Sequence, residues 1–420
     1  MKHQTKVFFT GIIIFLVGIQ NLTSQEENLI DAEYIKTVVL KSATSNSFAP
    51  IFRVGEAFSL SFDDIEADEK DYYYEIVHVD YNWQKSSIAD NEYLVGFSKD
   101  RIRNYENSFN TLQFFTHYQV SFPNEKTQII QSGNYILKVL NDYDEVVLIR
   151  RFVLVNPKAE VGVTVQRTRS IDQINTHQNV QFVVNYQNFN INNPSEEIKI
   201  AILQNNNWAN AKTNLKPQYI RANQLVYKYD KETNFLAGNE YLNFDTKIIR
   251  NTSLNIRNVY LGDDIFYTHL FVDEERSSKP YTYYPDVNGN FVIRNLEGEN
   301  ASLDADYSWV HFYLKPTNLS QNKEVFVYGG FNNWQFSDVN KMKYNATTGL
   351  YELPILLKQG FYNYRYATID SDKKINEVEI DGSFFQTENE YSVIVYWSKI
   401  GGRFDEVIGY GTVISDMLKQ

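Results

Sequence analysis

The stretch that decides the fold runs from Glu324 to Thr368 and reads EVFVYGGFNNWQFSDVNKMKYNATTGLYELPILLKQGFYNYRYAT. Its first residues predict a strand over Glu324–Tyr328, which ends at a Gly-Gly turn. Two further turns that contain glycine each lead into another strand, over Leu350–Leu357 and Phe361–Ala367. Three short strands separated by glycine turns predict a β-sandwich domain in this part of the chain.

The turn of this stretch resembles the early-set β-sandwich modules that bind glycogen and starch beside branching and debranching enzymes. The resemblance is carried by Phe331-Asn332-Asn333-Trp334 and by the aromatic strand that follows Gly360. It implies a glycan platform in which Trp334 stacks on a sugar ring, with Phe331 and Asn332 beside it. In the other interpretation, Trp334 closes the end of the sandwich and Asn332 or Asn333 caps the turn. We favour the structural interpretation, because the chain lacks the additional Trp and Lys pattern of glucan modules.

The composition predicts a globular chain rich in β-structure. A length of 420 residues corresponds to roughly three domains. Aromatic residues make up 15% of the chain, with 31 Tyr and 28 Phe, and such residues favour strands. The formal net charge is −12 and no basic stripe is visible, so nucleic acid is a poor partner. The absence of cysteine excludes disulfides, thiolate catalysis and Cys-ligated zinc.

The N-terminus predicts export. Lys2 and Lys6 precede the apolar run Val7–Ile19, and Ser24 supplies a small residue at a cleavage point. We interpret residues 1–24 as a signal peptide, because the run is shorter than the ~20 residues that a membrane anchor needs. Apart from this run, no stretch approaches transmembrane length, so no membrane span is expected after cleavage. An acidic exported chain without cysteine is expected in a bacterial periplasm or outside the cell.

The fold class expected for the whole chain is all-β, with tandem immunoglobulin-like or early-set β-sandwich domains. Alternating polar and apolar residues around Phe58–Phe62 belong to a first domain over residues 25–157, which a turn at Asn156-Pro157 ends. A second sandwich is expected over residues 158–303, with a turn at Asn288-Gly289. The polar stretch Asn295–Asp306 is interpreted as the linker to a third, early-set-like sandwich over residues 304–420. Three sandwiches in succession predict an elongated rod.

A set of short motifs that follow one another in a single order extends the resemblance to most of the chain. Together they resemble the plug protein family of the Bacteroidota type IX secretion system. These motifs are Phe62–Asp64, Tyr74–Asp80, Asn82-Trp83, Glu92–Phe97, Tyr105–Thr111, Ser132–Tyr135, Ile191–Pro194, Ile202–Asn205, Asp286–Gly289, Thr387–Tyr391 and Ile408–Tyr410.

This second resemblance implies a non-catalytic interaction protein. It implies that the chain plugs the periplasmic opening of the large outer-membrane β-barrel translocon, which is its expected partner. The expected location is the periplasm, on the periplasmic side of the outer membrane. The chain ends soon after Tyr410 without an added signal domain of the type that cargo carries, which favours machinery over cargo. The alternative function is an exported α-glucan-binding protein that uses Phe331, Asn332 and Trp334.

Motifs for catalysis and for metal binding are absent from the sequence. We find no G-x-S-x-G elbow, P-loop or dinucleotide fingerprint, and no histidine pair at zinc spacing. The acidic run from Asp63 to Asp71 lacks the glycine and glutamate positions of an EF-hand and is interpreted as a solvated loop. We therefore expect no catalytic residue, no cofactor and no metal. Exposed loop tips at Trp83 and Trp208 are the remaining candidate partner contacts.

Overall fold

The computed structural model describes residues 31–187, 189–317, 319 and 322–416. The predicted signal peptide over residues 1–24 lies outside the described residues. Within them the chain forms thirty β-strands and three four-residue helices, which confirms the all-β fold class. No helix among the described residues is both long enough and apolar enough to span a bilayer.

The first sandwich holds eleven strands in two main sheets, with orders β1-β3-β8-β7 and β2-β11-β10-β4-β6. Alternating side chains of both sheets bury Leu60, Tyr74 and Phe152 between them. The elements are β1 (Ile35–Ser42), β2 (Ile51–Arg53), β3 (Phe58–Asp64), β4 (Tyr73–Val79), α1 (Asp90–Tyr93), β5 (Leu94–Gly96), β6 (Lys99–Arg101), β7 (Asn104–Asn107), β8 (Thr116–Phe122), β9 (Thr127–Ile129), β10 (Gly133–Leu140) and β11 (Val146–Val155).

The second sandwich begins directly after this domain. One of its sheets has the order β12-β13-β17-β16, and β18 also pairs with β13. Its inner face buries Val180, Phe182 and Val184, as the alternating pattern predicts. The elements are β12 (Glu160–Arg167), β13 (His177–Asn185), α2 (Pro194–Glu197), β14 (Ile198–Gln204), β15 (Asn207–Thr213), β16 (Tyr219–Arg221), β17 (Gln224–Tyr227) and β18 (Asn234–Leu236).

The third sandwich contains the stretch that opened the sequence analysis. One sheet has the order β20-β21-β23-β26-β25, and the other is built around β27, which pairs with β19, β22, β24 and β28. The elements are β19 (Leu242–Asp245), β20 (Ile256–Leu261), β21 (Phe266–Glu274), β22 (Phe291–Ile293), α3 (Ala301–Asp304), β23 (Tyr307–Lys315), β24 (Glu324–Tyr328), β25 (Lys343–Asn345), β26 (Leu350–Lys358), β27 (Gly360–Ile369) and β28 (Ile375–Asn376), with 3-10 turns at Gly330–Asn332 and Asp338–Asn340.

The last two strands, β29 (Glu390–Trp397) and β30 (Glu406–Ile414), return to the second sandwich. They complete its other sheet in the order β15-β14-β29-β30, with Ile198 opposite Trp397 and Gln204 opposite Tyr391. The third sandwich is thus inserted into the second, and the structure places the boundaries near residues 238 and 387 instead of at 303/304. Alternating polar and apolar residues indicate that a segment is a strand, but they do not indicate which strand it pairs with. The domain boundaries predicted from the sequence therefore could not show this insertion.

The two crossings between the second and third sandwiches are held by buried amides. The Asn389 side chain donates to the carbonyl oxygen of Ala237 at 2.9 Å and to Gln178 Oε1 at 3.2 Å. The Gln178 side chain in turn donates to the carbonyl oxygens of Phe385 and Thr387, both at 2.7 Å. Because Gln178, Asn389, Ala237 and Thr387 are buried, loss of one partner would leave an unsatisfied polar atom, which makes the two crossings interdependent.

The three sandwiches do not form a rod, because each contacts the other two. The first meets the second through an apolar cluster that includes Tyr81, Val153 and Leu203. It also meets the third, where Phe115 packs on Tyr307 with ring centroids 5.6 Å apart. The predicted linker Asn295–Asp306 lies within the third sandwich and contains α3. The expectation of a rod was wrong, because the insertion turns the third sandwich back onto the first.

Candidate functional site: the cleft between the three sandwiches

A cleft of about 1500 Å³ lies where the three sandwiches meet. The first sandwich contributes β1 and the loop after it, up to Phe48. The second contributes the start of β15, and the third contributes β22 and the turn around Trp334. Typical small-molecule pockets reach ~300–1,000 Å³, so this cleft is large enough for a segment of polypeptide.

Three of the strands that border the cleft are edges of their sheets. β1 and β15 each stand at the end of a sheet, and β22 pairs on one side only, with β27. From Val38 to Lys41, the outer edge of β1 has no backbone hydrogen bond among the described residues. Edge strands expose rows of backbone N–H and C=O groups that can pair with another chain. The cleft therefore offers backbone pairing as well as side-chain contacts.

The charge of the cleft is opposite to that of the whole chain. Acidic residues outnumber Lys and Arg by 52 to 40, yet no Asp or Glu is among the described residues that line the cleft. Its cationic side chains are Lys41, Arg150, Arg151, Lys358 and Lys373. Lys41 and Lys373 are exposed and have no ion pair within the described residues. Arg150 is already neutralised, because its two terminal nitrogens donate to Asp31 at 2.6 and 2.7 Å.

A buried ion network at one wall of the cleft joins the first and third sandwiches. Lys358 Nζ lies 2.7 Å from Asp63 Oδ2, and the two side chains are 1% and 0% exposed. His117 Nδ1 lies 2.6 Å from the other oxygen, Asp63 Oδ1. Tyr307 donates its hydroxyl to Asp63 Oδ2 at 2.7 Å. One carboxylate thus collects three partners, two of which come from the other sandwich.

The environment of Asp63 favours its charged form. Burial alone would raise the pKa of Asp63, but the Lys358 ammonium and the hydrogen bond from His117 outweigh burial and lower it. Burial lowers the pKa of Lys358, and the Asp63 carboxylate opposes that effect. We infer an ion pair, since a charged carboxylate with three hydrogen-bond partners is a satisfied buried group. This network is a structural contact at the wall of the cleft.

The structure brings Trp83 and Trp208 together, although they come from different sandwiches. Their ring centroids are 4.8 Å apart in an edge-to-face arrangement, and both rings are half-buried. The Arg151 guanidinium lies over the Trp83 ring at 4.7 Å. Trp208 also lines the cleft. Each was predicted as a separate loop tip; their contact with a partner protein stays a prediction.

Phe331, Asn332 and Trp334 have the roles of a folded turn. Asn332 Oδ1 accepts from the backbone N–H of Gly329 at 3.1 Å, and its Nδ2 donates to the carbonyl oxygen of Val327 at 3.1 Å. Phe331 packs edge-on against Tyr362, with centroids 6.0 Å apart. This arrangement agrees with the structural interpretation of the turn, and glycan contact by the three residues stays a prediction.

The Trp334 ring packs directly against the backbone of Gly289, where a larger residue would collide with it. Its ring lies 5.9 Å from that of Tyr241 and 6.0 Å from that of Tyr328. A Cβ on Gly289 would lie 2.1 Å from Trp334 Cη2, and Gly289 has a positive φ of 82°. The half-buried ring also lines the cleft. Trp334 is therefore a wall residue of the cleft rather than an open platform.

The sequence analysis missed the contribution of β1 to the cleft. One signal was readable: no Asp or Glu occurs between Glu33 and Glu56, in a chain that has 52 acidic residues. The same interval contains the polar run Ser42–Ser47, which forms part of the lining. Within the described residues, no group of three or more His, Asp or Glu side chains is placed to hold a metal ion.

Comparison with known proteins identifies the first sandwich. The model of the "Type 9 secretion system plug protein 1st domain" matches residues 35–156, which span β1 to β11. This match places the first sandwich in the plug protein family of the type IX secretion system. This membership indicates a role in type IX secretion and a location associated with it, and with the all-β fold it favours a non-catalytic protein. The family resemblance drawn from the sequence is confirmed.

A solved crystal structure is similar to almost the whole of this chain. A hypothetical protein from Parabacteroides merdae ATCC 43184, solved at 2.30 Å resolution, is 32% identical and has a TM-score of 0.88. The alignment covers 92% of this chain and 98% of that one. A Salmonella alpha-2-macroglobulin mutant aligns at 8% identity with a TM-score of 0.17. No curated protein matches.

Proposed function

We propose that this plug-family protein is a non-catalytic periplasmic protein that closes the periplasmic opening of the type IX outer-membrane translocon. The observation that carries the proposal is the match of the first sandwich to the plug family. The expected partner is the large β-barrel of that translocon. The location, on the periplasmic side of the outer membrane, follows from the same reasoning.

The arrangement of the sandwiches supports this proposal physically. A protein that closes a wide opening must keep its shape while it is pressed against the rim. Here each sandwich contacts the other two, so bending at one joint is opposed by the remaining contacts. The buried ion pair Asp63–Lys358 links the first and third sandwiches, and removing either partner would leave a buried, unpaired charge at a cost of about 3–5 kcal/mol.

An exposed apolar loop provides a surface for the partner. Phe109, Leu112 and Phe114 lie within the connection between β7 and β8 and are 73%, 40% and 67% exposed. The backbone of the loop is held by the third sandwich, because Asp306 accepts from the N–H groups of Leu112 and Gln113 at 2.7 and 3.1 Å. A fixed loop that exposes three large apolar side chains is typical of a protein contact.

The experiment is affinity purification of the tagged protein from detergent-solubilised envelope, followed by mass spectrometry. We expect recovery of the translocon barrel, and we expect cells that lack the protein to admit large antibiotics when the barrel is held open. The variant Phe109→Ser/Phe114→Ser should recover less barrel. Tyr143→Ser/Ile171→Ser removes two equally exposed side chains, 79% and 89%, elsewhere and serves as the matched control.

Two results would overturn the proposal. One is purification without any outer-membrane barrel; the other is unchanged antibiotic uptake in cells that lack the protein. Retention of the protein on an amylose column would instead support the α-glucan alternative. Because Asn332 and Trp334 are occupied by contacts within the turn, no structural observation favours that alternative, and it stays a prediction.

A further inference from the structure

We propose that the cleft between the three sandwiches binds an extended, acidic polypeptide segment of the partner, which pairs with the free edge of β1. The proposal rests on the proposed function for the source of that segment, a periplasmic segment of the translocon. The site itself is argued from the edges, the charge and the side chains that line the cleft.

The free edge of β1 allows backbone pairing with a bound peptide. An extended peptide can add a strand to an exposed sheet edge, and its main-chain hydrogen bonds then supply much of the affinity. β1 provides such an edge from Val38 to Lys41, and β22 presents a second one in the same cleft. The position of β1 is fixed at its start, because Thr37 Oγ1 and Tyr307 Oη lie 2.7 Å apart. A strand edge held in place loses little freedom when a peptide pairs with it.

The charge of the cleft is complementary to an acidic peptide. Lys41 stands at the end of the free edge, and Lys373 faces the cleft from the loop between β27 and β28. Both lysines are exposed, without an ion pair within the described residues, and no described carboxylate lines the cleft. A basic peptide would meet like charges there, whereas an acidic one gains two attractive contacts. The charge pattern therefore selects an acidic segment.

The side chains around the edge of β1 are both aromatic and polar. Aromatic rings line the cleft beside a run of hydroxyl and amide groups, so apolar and polar side chains of an extended peptide would each find contacts. The aromatic lining residues are Phe48, Trp208, Phe291, Trp334 and Phe336. Alternate side chains of a bound strand point to opposite sides, which suits a cleft with walls from different sandwiches.

The test measures peptide binding by the full mature chain through fluorescence anisotropy. The probe is a labelled peptide of about eight residues that alternates Glu with Val and Thr, since ~3.3 Å per residue gives it a length of roughly 26 Å. A second probe carries Lys in place of each Glu. A third is the acidic peptide with an N-methyl group on every residue, which removes the backbone donors from both edges. We expect binding of the first probe only, with an affinity that falls as salt rises.

Matched variants locate the site. Lys41→Glu/Lys373→Glu should weaken binding of the acidic peptide by about tenfold or more. Lys228→Glu/Lys343→Glu changes two exposed lysines outside the cleft and should leave binding unchanged. Hydrogen exchange should slow on peptide addition within residues 36–48 and 290–293. Because all four positions are exposed lysines, loss of folding is not expected in either variant.

Each outcome decides the proposal. Equal binding of the acidic and basic peptides, equal binding of the N-methylated peptide, or protection outside the cleft would overturn it. Failure of the acidic peptide to bind would overturn it too. Recovery of the barrel without peptide binding would retain the plug role and reject the cleft. Peptide binding without barrel recovery would retain the cleft and reject the plug role.

Discussion

Two buried carboxyl groups lie at two different junctions of this molecule and have opposite environments. Asp63, between the first and third sandwiches, has Lys358 and His117 as cationic or hydrogen-bonding partners. Glu240, where the chain crosses from the second sandwich to the third, has no cation within salt-bridge distance among the described residues. Its Oε1 accepts from the Tyr281 hydroxyl and from the backbone N–H of Glu388, at 3.1 Å for the latter.

The pKa values of the two groups move in opposite directions. Lys358 and His117 outweigh burial and lower the pKa of Asp63. Burial raises the pKa of Glu240 to about 7, and its Oε2 has no hydrogen-bond partner among the described residues. A buried carboxyl group without a cation prefers to be neutral. The junction at Asp63 is therefore stabilised by the charged form of its carboxyl group, whereas the junction at Glu240 is destabilised by the charged form.

The largest effect is expected at the charged junction. Lys358→Met leaves the Asp63 carboxylate buried without its ammonium partner and should lower the free energy of unfolding by about 3–5 kcal/mol, measured by urea denaturation at pH 7. Lys343→Met, at an exposed lysine, is the control. Asp63→Asn/Lys358→Met should recover part of the loss. A single variant as stable as the parent would show that this pair does not hold the junction.

At the junction that contains Glu240, removing the charge should raise the free energy of unfolding. Glu240→Gln removes the charge but keeps the acceptor for Tyr281, so it should raise the free energy of unfolding at pH 8 by about 1–3 kcal/mol. Since the folded pKa is raised, the stabilisation from this group is complete below 4.5 and is lost as the pH rises through about 7. The gain should therefore vanish at pH 4.5.

The measurement is urea denaturation of the parent protein and of Glu240→Gln between pH 4.5 and pH 8. Glu297→Gln, at an exposed position, should show no such dependence. A gain that is the same at pH 4.5 and pH 8 would mean that Glu240 does not titrate in this range. For Asp63 the window is different: its stabilisation is complete above 3.8 and is lost as the pH falls through its lowered folded pKa.

The strands themselves were largely predictable from the sequence. The turns at the glycines of residues 324–368 define β24, β26 and β27 to within a few residues, because glycine interrupts strands locally. The partners of β29 and β30 were not predictable, since alternation has the same period in every sandwich. The sequence of β29 therefore does not indicate that this strand pairs with β14.

The candidate site was predictable only in part. Trp208 and Trp334 were candidates from the sequence and do line the cleft. Asp63 was interpreted as part of a solvated loop, but it is fully buried. Its burial depends on Lys358, which is almost 300 positions away along the chain. Such a pairing leaves no local pattern, so neither the network nor the acid-free cleft could follow from sequence periodicity.

A smaller effect should follow from the second partner of Asp63. His117→Ala removes a hydrogen bond to one carboxylate oxygen but leaves Lys358 in place, so we expect a loss of about 1–2 kcal/mol at pH 7. Thermal or urea unfolding measures it. His177→Ala, at a half-buried histidine of the second sandwich, is the comparison. A loss as large as that of Lys358→Met would show that the three groups act as one unit.

The smallest effect is expected at the partner of Glu240. Tyr281→Phe removes a hydroxyl that donates to Glu240 Oε1, and a hydrogen bond to the charged carboxylate lowers its pKa. We expect a loss of about 0.5–1.5 kcal/mol at pH 8. The midpoint of the pH dependence should also move above 7. At pH 4.5 the loss should be smaller, because a protonated carboxyl group needs this donor less.

The direction of this pH dependence decides whether the two junctions differ as proposed. In Tyr281→Phe the loss should grow as the pH rises, since the charged form of Glu240 loses a stabilising partner. In His117→Ala the loss should be constant above pH 3.8, where Asp63 is charged in both the folded and the unfolded protein, and should shrink as the pH falls through the lowered folded pKa of Asp63. If Tyr281→Phe were equally destabilising at pH 4.5 and pH 8, Glu240 would not change its charge in this range, and the expected pH dependence of this junction would be absent.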